Sequence, residues 1–419
     1  MNNSNQMVQE QVLNLLSGQN KENPFSIFAK IRKTGPVISI PNPFGQTDSQ
    51  AWLVVHMDEA TQVLKNHAIY TVDPKTLEDD KGYRDNITND LNSSSPDTFF
   101  TGKSMLFSDG VDHRRLRMLV SKAFTPRYME GLRSRVQEIA DELLDQVQSQ
   151  GEMDIVKDYA YPLPINVISE MLGVPHEDRE KLKIWSTAIA NGLGLGKQDP
   201  TVGKHLKEFG EYTKMLVEEK RKNPSDDLIS QLIAIEEQGE RLDKSELISM
   251  ITLLIFAGHE TTSNLIATGT MMLFENPEQL EMLKTDLTLV PSAVEELLRF
   301  NGPSTIVGPR FAKEDTLLGG QQIKKGDLLL VMVKAANRDE KVFTDSEDLD
   351  IKRKIDRHLA FGHGLHVCLG SPLARIEGDI AFTTLLKRMP NLRLSIPKEK
   401  VEWQFSLSSQ SLDSLPVSF

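Results

Sequence analysis

The chain has 419 residues, 39% of them hydrophobic and 26% charged, with a formal net charge of −12. This is the composition of an ordinary soluble globular protein, and its sign argues against nucleic acid as a partner. A single cysteine excludes an intrachain disulfide and suits a reducing compartment, so a cytoplasmic location is expected.

Met1–Asn20 lacks a basic stretch leading into an apolar one, so no signal peptide is expected. Short strand patterns follow at Pro36–Ile40 and Ala51–Val55, which should pair with each other. Val72–Lys103 is polar and rich in Asp, Asn and Ser, longer than an idle loop usually is. Helical spacing then dominates, in Arg127–Gln150, Glu177–Ile189 and Lys204–Lys222. Between the last two, Asn191–Lys204 carries Gly192, Gly194 and Gly196, but it follows a helix and not a strand. It therefore reads as a hinge, with no dinucleotide fingerprint.

Asp243–Glu275 is the longest helical pattern, with Asp243 and Glu246 spaced as a capping box. At 1.5 Å per residue it would run roughly 48 Å, across the whole molecule. Its apolar run, Leu247–Gly258, falls short of the roughly 20 residues a membrane span needs, so no membrane anchor is expected. Pro277–Thr285 and Pro291–Arg299 complete the helices before strand patterns at Arg310–Ala312 and Asp327–Val333, a second small sheet. The expected fold is mainly α with a small β part. Length alone would allow two or three domains, but no linker or change of composition divides residues 1–419, so a single domain is expected.

The most informative segment is Phe361-Gly362-His363-Gly364-Leu365-His366-Val367-Cys368-Leu369-Gly370. Glycines on both sides of the thiol let backbone press against something flat. The helix that follows, from Ser371 to Leu386, would favour the thiolate through its N-terminal dipole. A lone thiolate with only His363 and His366 nearby is too poor a set for tetrahedral zinc. It does suffice as one axial ligand of a haem iron. The bland reading is a buried cysteine serving as a small hydrophobe.

Three further constellations stand out. Ala257-Gly258-His259-Glu260-Thr261-Thr262 sets a glycine and an acid–alcohol pair in the middle of the longest helix. Gly258 costs about 1 kcal/mol there, and a Thr261 hydroxyl bonded back to the Ala257 carbonyl would loosen the helix into a groove. His259 reads as a packed or solvated side chain without a role. His113 and Arg117 share one helix face, as do Glu296 and Arg299.

The loop around Cys368 resembles the haem-binding loop of the cytochromes P-450, and the other motifs occur in that family's order. The resemblance spans essentially the whole chain and is nearest to soluble bacterial members acting on polyketides, macrolides, terpenoids or steroids. It implies a single-domain cytochrome P-450 fold, with haem b between the long central helix and the Cys-loop helix and Cys368 as axial iron ligand. Phe361, Gly362 and Gly370 would shape the haem loop, while His113, Arg117, Arg310 and His366 would meet the propionates. The entry Asp109-Gly110-Val111 departs from the family's Asp-Pro-Pro. Glu296 and Arg299 would form a structural pair with Arg353, although Ser346 and Leu349 stand where the family usually has Pro and Phe.

Glu260 and Thr261 are the implied proton-delivery residues, a pair that peroxide-driven relatives lack. The implied activity is insertion of one O2-derived oxygen atom into a C–H bond of a lipophilic small molecule, in secondary metabolism. By position the substrate pocket should draw on Leu106, Leu253, Phe256, Ala257, Ile306, Val307, Leu407 and Ser408. Nearby, Gln410-Ser411 replaces the family's common Arg-Gly. No cysteines remain for a cluster, so electrons would come from a ferredoxin or flavodoxin with its reductase. Arg114, Arg115, Lys122 and Arg127 form a basic cluster suited to an acidic partner, and a monomer is expected. Two rivals are a haem-thiolate peroxygenase or isomerase, which needs no redox partner, and a non-catalytic haem-binding sensor, which turns over with no electron donor.

Overall fold

The computed structural model describes residues 25–42, 51–73, 76–77, 104–192, 200–239, 242–405 and 409–419. The helices are α1 (Phe25–Thr34), α2 (Met57–Lys65), α3 (Gly110–Ser121), α4 (Pro126–Gly131), α5 (Arg133–Gln148), α6 (Pro162–Leu172), α7 (Arg179–Gly192) and α8 (Pro200–Lys222). They continue with α9 (Leu228–Glu237), α10 (Lys244–Ala257), α11 (Glu260–Glu275), α12 (Pro277–Thr285), α13 (Val290–Asn301), α14 (Val333–Ala336) and α15 (Ser371–Arg388). The strands are β1 (Val37–Ile40), β2 (Ala51–Val54), β3 (Tyr70–Thr71), β4 (Glu152–Asp154), β5 (Arg310–Ala312) and β6 (Thr316–Leu318). They end with β7 (Gln321–Ile323), β8 (Leu328–Val331), β9 (Arg393–Leu394), β10 (Trp403–Phe405), β11 (Gln410–Leu412) and β12 (Pro416–Ser418).

β1 and β2 pair antiparallel, Val37 opposite Val54. They do not form a separate sheet from the later strands. One five-stranded sheet runs β1-β2-β8-β5-β3, with β2 and β8 parallel. β2 and β8 are buried along their whole length, and such an unbroken apolar strand belongs in the middle of a sheet.

Helices α10, α11, α13 and α15 pack around one apolar core. Every residue of α10 from Glu246 to Ile255 is buried, so no polar face exists and the helix is enclosed on all sides. Its start is a true capping box. The Asp243 side chain accepts from the Glu246 N–H at 2.8 Å, and Glu246 accepts from the Asp243 N–H at 3.0 Å. Arg115 on α3 adds two bonds to Glu246, at 2.6 and 2.9 Å.

The single helix expected over Asp243–Glu275 is two helices, interrupted at Gly258 and His259. Arg127–Gln150 is likewise divided between α4 and α5 at Leu132. Helices α1, α2, α6 and α9 were not anticipated, being short or apolar throughout. The Val72–Lys103 and Asn191–Lys204 segments lie largely outside the described residues. No described helix is long and apolar enough to cross a membrane.

Candidate active site

The Cys368 loop is closed by its own backbone, the Cys368 N–H donating to Phe361 O at 2.8 Å. Gly364 has φ +74°, and a Cβ there would lie 2.4 Å from Leu64 O, so only glycine lets the loop pass α2. Gly362 shares the left-handed backbone at φ +68°, and Gly370 precedes Ser371, the first residue of α15. Arg375 on α15 sits 4.5 Å from the centre of the Phe361 ring. It also forms a bidentate pair with Glu295 on α13 at 2.6 and 3.1 Å, and His358 Nε2 lies 3.0 Å from the same carboxylate. Burial alone would raise Glu295, but these partners outweigh it and hold it near 2. The sulfur-bearing loop is thus pinned to the helix carrying Glu296 and Arg299.

The Cys368 side chain is exposed to a cavity of about 420 Å³ and is otherwise surrounded by protein. Burial pushes its thiol up, more than the Gly370 and Ser371 N–H groups, Arg117 and Arg375 push it down. In the free thiol, burial therefore outweighs the N-terminal dipole of α15. A bound cation reverses that balance, because a coordinating thiol is deprotonated outright.

The four expected cationic groups converge on this cavity: His113, Arg117, Arg310 and His366 all line it. Neither ring nitrogen of the buried His113 has a hydrogen-bond partner, and its ring centre is 4.2 Å from that of His366. Burial, and then His366, bring His113 down to about 4, so its imidazole is neutral at pH 7. Arg117 donates to Val367 O at 2.7 Å, and Arg310 donates to Gly308 O at 2.7 Å. Asp109, in the atypical loop entry, ties the region together. It lies 3.0 Å from His366 Nε2 and accepts from Thr71 Oγ1 at 2.7 Å and the Val72 N–H at 2.8 Å. Those bonds overcome the raising effect of burial and keep Asp109 ionised far below the usual range. An unbonded buried imidazole beside two guanidinium groups and a thiol suits a flat dianion whose metal takes sulfur.

The facing wall carries Glu260 and Thr261, both lining the cavity. The helix interruption beside them does not arise as expected, since Thr261 makes no bond to Ala257 among the described residues. Instead His259 leaves helical geometry at φ −127°, and its Nδ1 lies 2.9 Å from Ile255 O, the carbonyl its backbone would have served. A Cβ on Gly258 would sit 2.6 Å from Ile168 Cγ1, so close helix packing also requires that glycine. His259 is wholly buried, edge-on to Tyr161 at 5.5 Å. Burial raises Glu260 to about 8, leaving it protonated at neutral pH.

Leu106, Leu253, Phe256, Ala257, Ile306 and Val307 line the same cavity. Leu407 and Ser408 lie outside the described residues, while their neighbour Ser409 lines it. The Glu296 carboxylate takes Arg299 Nε at 2.6 Å and Nη2 at 2.7 Å, both side chains being fully buried. Arg353 reaches Glu296 at 3.2 Å, and the Asp350 N–H donates to it at 2.9 Å. Arg299 also donates to the carbonyls of Asn337 and Ser346, at 3.1 and 2.9 Å, so Ser346 takes part through its backbone.

Sequence reading missed Asp109, Glu295, Arg375 and Glu377. Glu377 is buried on α15 and lines the cavity, without a hydrogen-bond partner for either oxygen. Burial pushes it up to about 8, and the Thr262 hydroxyl lowers it only in part without meeting hydrogen-bond geometry. A signal existed, because a carboxylate with Leu373 four residues before and Ile380 three after sits on an apolar helix face.

The cytochrome P450 family model matches residues 11–412. Cytochrome P450 CYP107DY1 of Priestia megaterium is 43% identical, over 92% of this chain and 93% of its own. The polyketide biosynthesis cytochrome P450 PksS of Bacillus subtilis is 40% identical, over 94% and 96%. Among solved structures, myxobacterial cytochrome P450 CYP267B1 in complex with myristic acid has a TM-score of 0.87 at 38% identity, covering 97% of this chain and 98% of that one. A thiol, unbonded imidazole nitrogens and an acid–alcohol pair around one cavity, in a chain matched over nearly its whole length, place it in the cytochrome P450 family, the haem-thiolate monooxygenases.

Proposed function

We propose that this chain inserts one atom of O2 into a C–H bond of a lipophilic small molecule bound against Leu253, Ile306 and Val307. The observation that carries the reading is the convergence of Cys368, His113, Arg117 and Arg310 with Glu260 and Thr261 on one cavity. Haem, when bound, would supply oxygen activation and electron transfer, and Cys368 would hold its iron through sulfur. His113, Arg117, Arg310 and His366, which line the same cavity, would hold the haem propionates. Arg117 also fixes the Val367 carbonyl beside the ligand loop. Glu296, Arg299 and Arg353 brace the segment leading to that loop.

Glu260, protonated at neutral pH, holds a proton at its carboxyl beside the unbonded Thr261 hydroxyl. In the reaction Thr261 would take a proton from Glu260 and present it to the cavity that both line. This pair favours O2 with external electrons over a peroxide-driven reaction. The apolar wall suits a polyketide, macrolide, terpenoid, steroid or fatty-acid-like scaffold, in keeping with the polyketide pathway of PksS and the myristic acid bound to CYP267B1.

Residues 1–419 act as one haem domain, a cytoplasmic monomer whose electrons come from a separate ferredoxin or flavodoxin with its reductase. An acidic partner docks on the α3 face. Arg115 is taken up by Glu246 and Asp112, which leaves exposed Arg114, Lys122 and Arg127 to steer it. Reversing the charge of Arg114 should slow reduction and flatten its salt dependence.

The deciding experiment is the carbon monoxide difference spectrum of the dithionite-reduced protein beside Cys368→Ala. A strongly red-shifted Soret band that requires Cys368 supports the reading. A protein without haem, or a band indifferent to Cys368, overturns it.

A further inference from the structure

A lysine side chain is buried where no carboxylate answers it. Lys334 on α14 is 3% exposed, and its amine donates to Asn301 Oδ1 at 2.7 Å and to Gln410 Oε1. Burial lowers its pKa well below the usual lysine range, and the nearby charge of Arg338 acts in the same direction. A cation in this position is costly unless its donors are all directed to good acceptors. Here the acceptors are two amide oxygens from distant parts of the chain, one at the end of α13 and one on β11. Gln410 is wholly buried.

Those two acceptors carry the substrate wall. Past Asn301 the chain runs through Pro303, Ser304, Ile306 and Val307, all lining the cavity, and on to Arg310. On the other side, Ser409 lines the cavity one residue before Gln410. The two segments touch directly, the Gln410 N–H donating to Pro303 O at 3.0 Å and Ser304 bridging Ser409. A further tie to the main sheet is the Val307 N–H to Val331 O at 3.2 Å, just before Lys334. One amine therefore joins three elements: α14, which carries it, the end of α13 that leads into the cavity segment, and β11 of the C-terminal hairpin.

We propose that Lys334 is a positioning residue that clamps the Pro303–Val307 segment and the β10–β11 hairpin together, and so sets the shape of the substrate wall. It touches neither substrate nor cofactor. The inference rests on the proposed function, in that this cavity is where an apolar substrate binds. Side-chain preferences on that wall are then decided by a residue outside it, through the Gln410 amide.

The test compares wild-type holoenzyme with Lys334→Met and Gln410→Met, which remove either end of the clamp and keep an unbranched side chain. Imidazole and econazole are titrated by the shift of the Soret band, and amide hydrogen exchange is followed at Gln410 and Val307. Imidazole is small enough to report on the iron alone, whereas econazole must also fit the wall. In both variants imidazole affinity should stay at the wild-type level, while econazole affinity changes about tenfold and the backbone N–H at position 410 exchanges about tenfold faster, as expected for losing one buried bond. Wild-type econazole-to-imidazole ratios with wild-type Gln410 protection in both variants would overturn the proposal. So would a uniform loss of protection across the core with an unchanged ratio, which marks a purely structural lysine. If Lys334→Met does not fold, Gln410→Met decides. If wild type shows no imidazole shift, the haem reading fails, while Gln410 exchange still reads the clamp.

Discussion

Two buried polar regions lie within one helix of each other and are built on opposite principles. Around Glu296 each charge is answered: Arg299 and Arg353 pair with it, and their remaining N–H groups reach backbone carbonyls. Around the cavity the reverse holds, with His113 unbonded at both nitrogens, Glu377 unbonded at both oxygens and Glu260 held protonated by burial. A buried polar group left unpaired costs stability, whereas a fully paired network fixes one conformation. The first region thus maintains the fold, and the second stores unfilled bonding capacity for a ligand and for protons.

That contrast can be broken at four points. Arg299→Ala should cost about 3–5 kcal/mol, since it strands the Glu296 carboxylate in the core; chemical denaturation measures it, and a loss under 1 kcal/mol would refute the structural assignment. Glu260→Gln should leave the carbon monoxide band in place and lower product formation about a hundredfold, the scale of one proton-transfer group. Unchanged turnover with unchanged coupling to electron use would remove Glu260 from proton delivery.

Glu377→Gln should change how stability depends on pH. The folded-state carboxyl lies near 8, above its ordinary value of 4.5. The protein therefore has its full stability from this group below about pH 4.5 and loses it as pH rises from there to about 8, because the unfolded chain ionises first. In the Gln variant the fall across that window should be shallower by up to about 1.4 kcal/mol per pH unit. Identical slopes would mean that Glu377 is ionised or bonded in the native protein. The smallest effect expected is for His113→Leu, which should stabilise haem-free protein by about 1 kcal/mol by removing an unbonded buried imidazole, yet speed haem loss to apomyoglobin. Destabilisation of the haem-free form would show that His113 is structural.

Much of this was readable from residue order alone. The capping box at Asp243 and Glu246 and the i,i+3 pair of Glu296 and Arg299 depend on neighbours a few residues apart, where local geometry is fixed by the backbone, and the β1–β2 pairing joins consecutive strands. The Phe361–Gly370 loop was legible as a motif, although the contact that requires Gly364, with Leu64 of α2, comes from a distant part of the chain. Helix α6 was harder because it is buried on nearly every side, which leaves little period to detect.

What the sequence alone determined was which groups are available: a single thiol before a helix, an acid–alcohol pair beside Gly258, and the basic side chains His113, Arg117, Arg310 and His366. Only the tertiary structure decided the rest, because it depends on burial and on partners hundreds of residues away. It placed Asp109 on His366, directed the His259 ring to Ile255 and broke the long helix there. It raised Glu260 and Glu377 toward neutrality, and it buried Lys334 between two amides. Spacing along a chain fixes which groups can meet across one turn of helix, while desolvation is a property of the whole packed core and exists only once that core has formed.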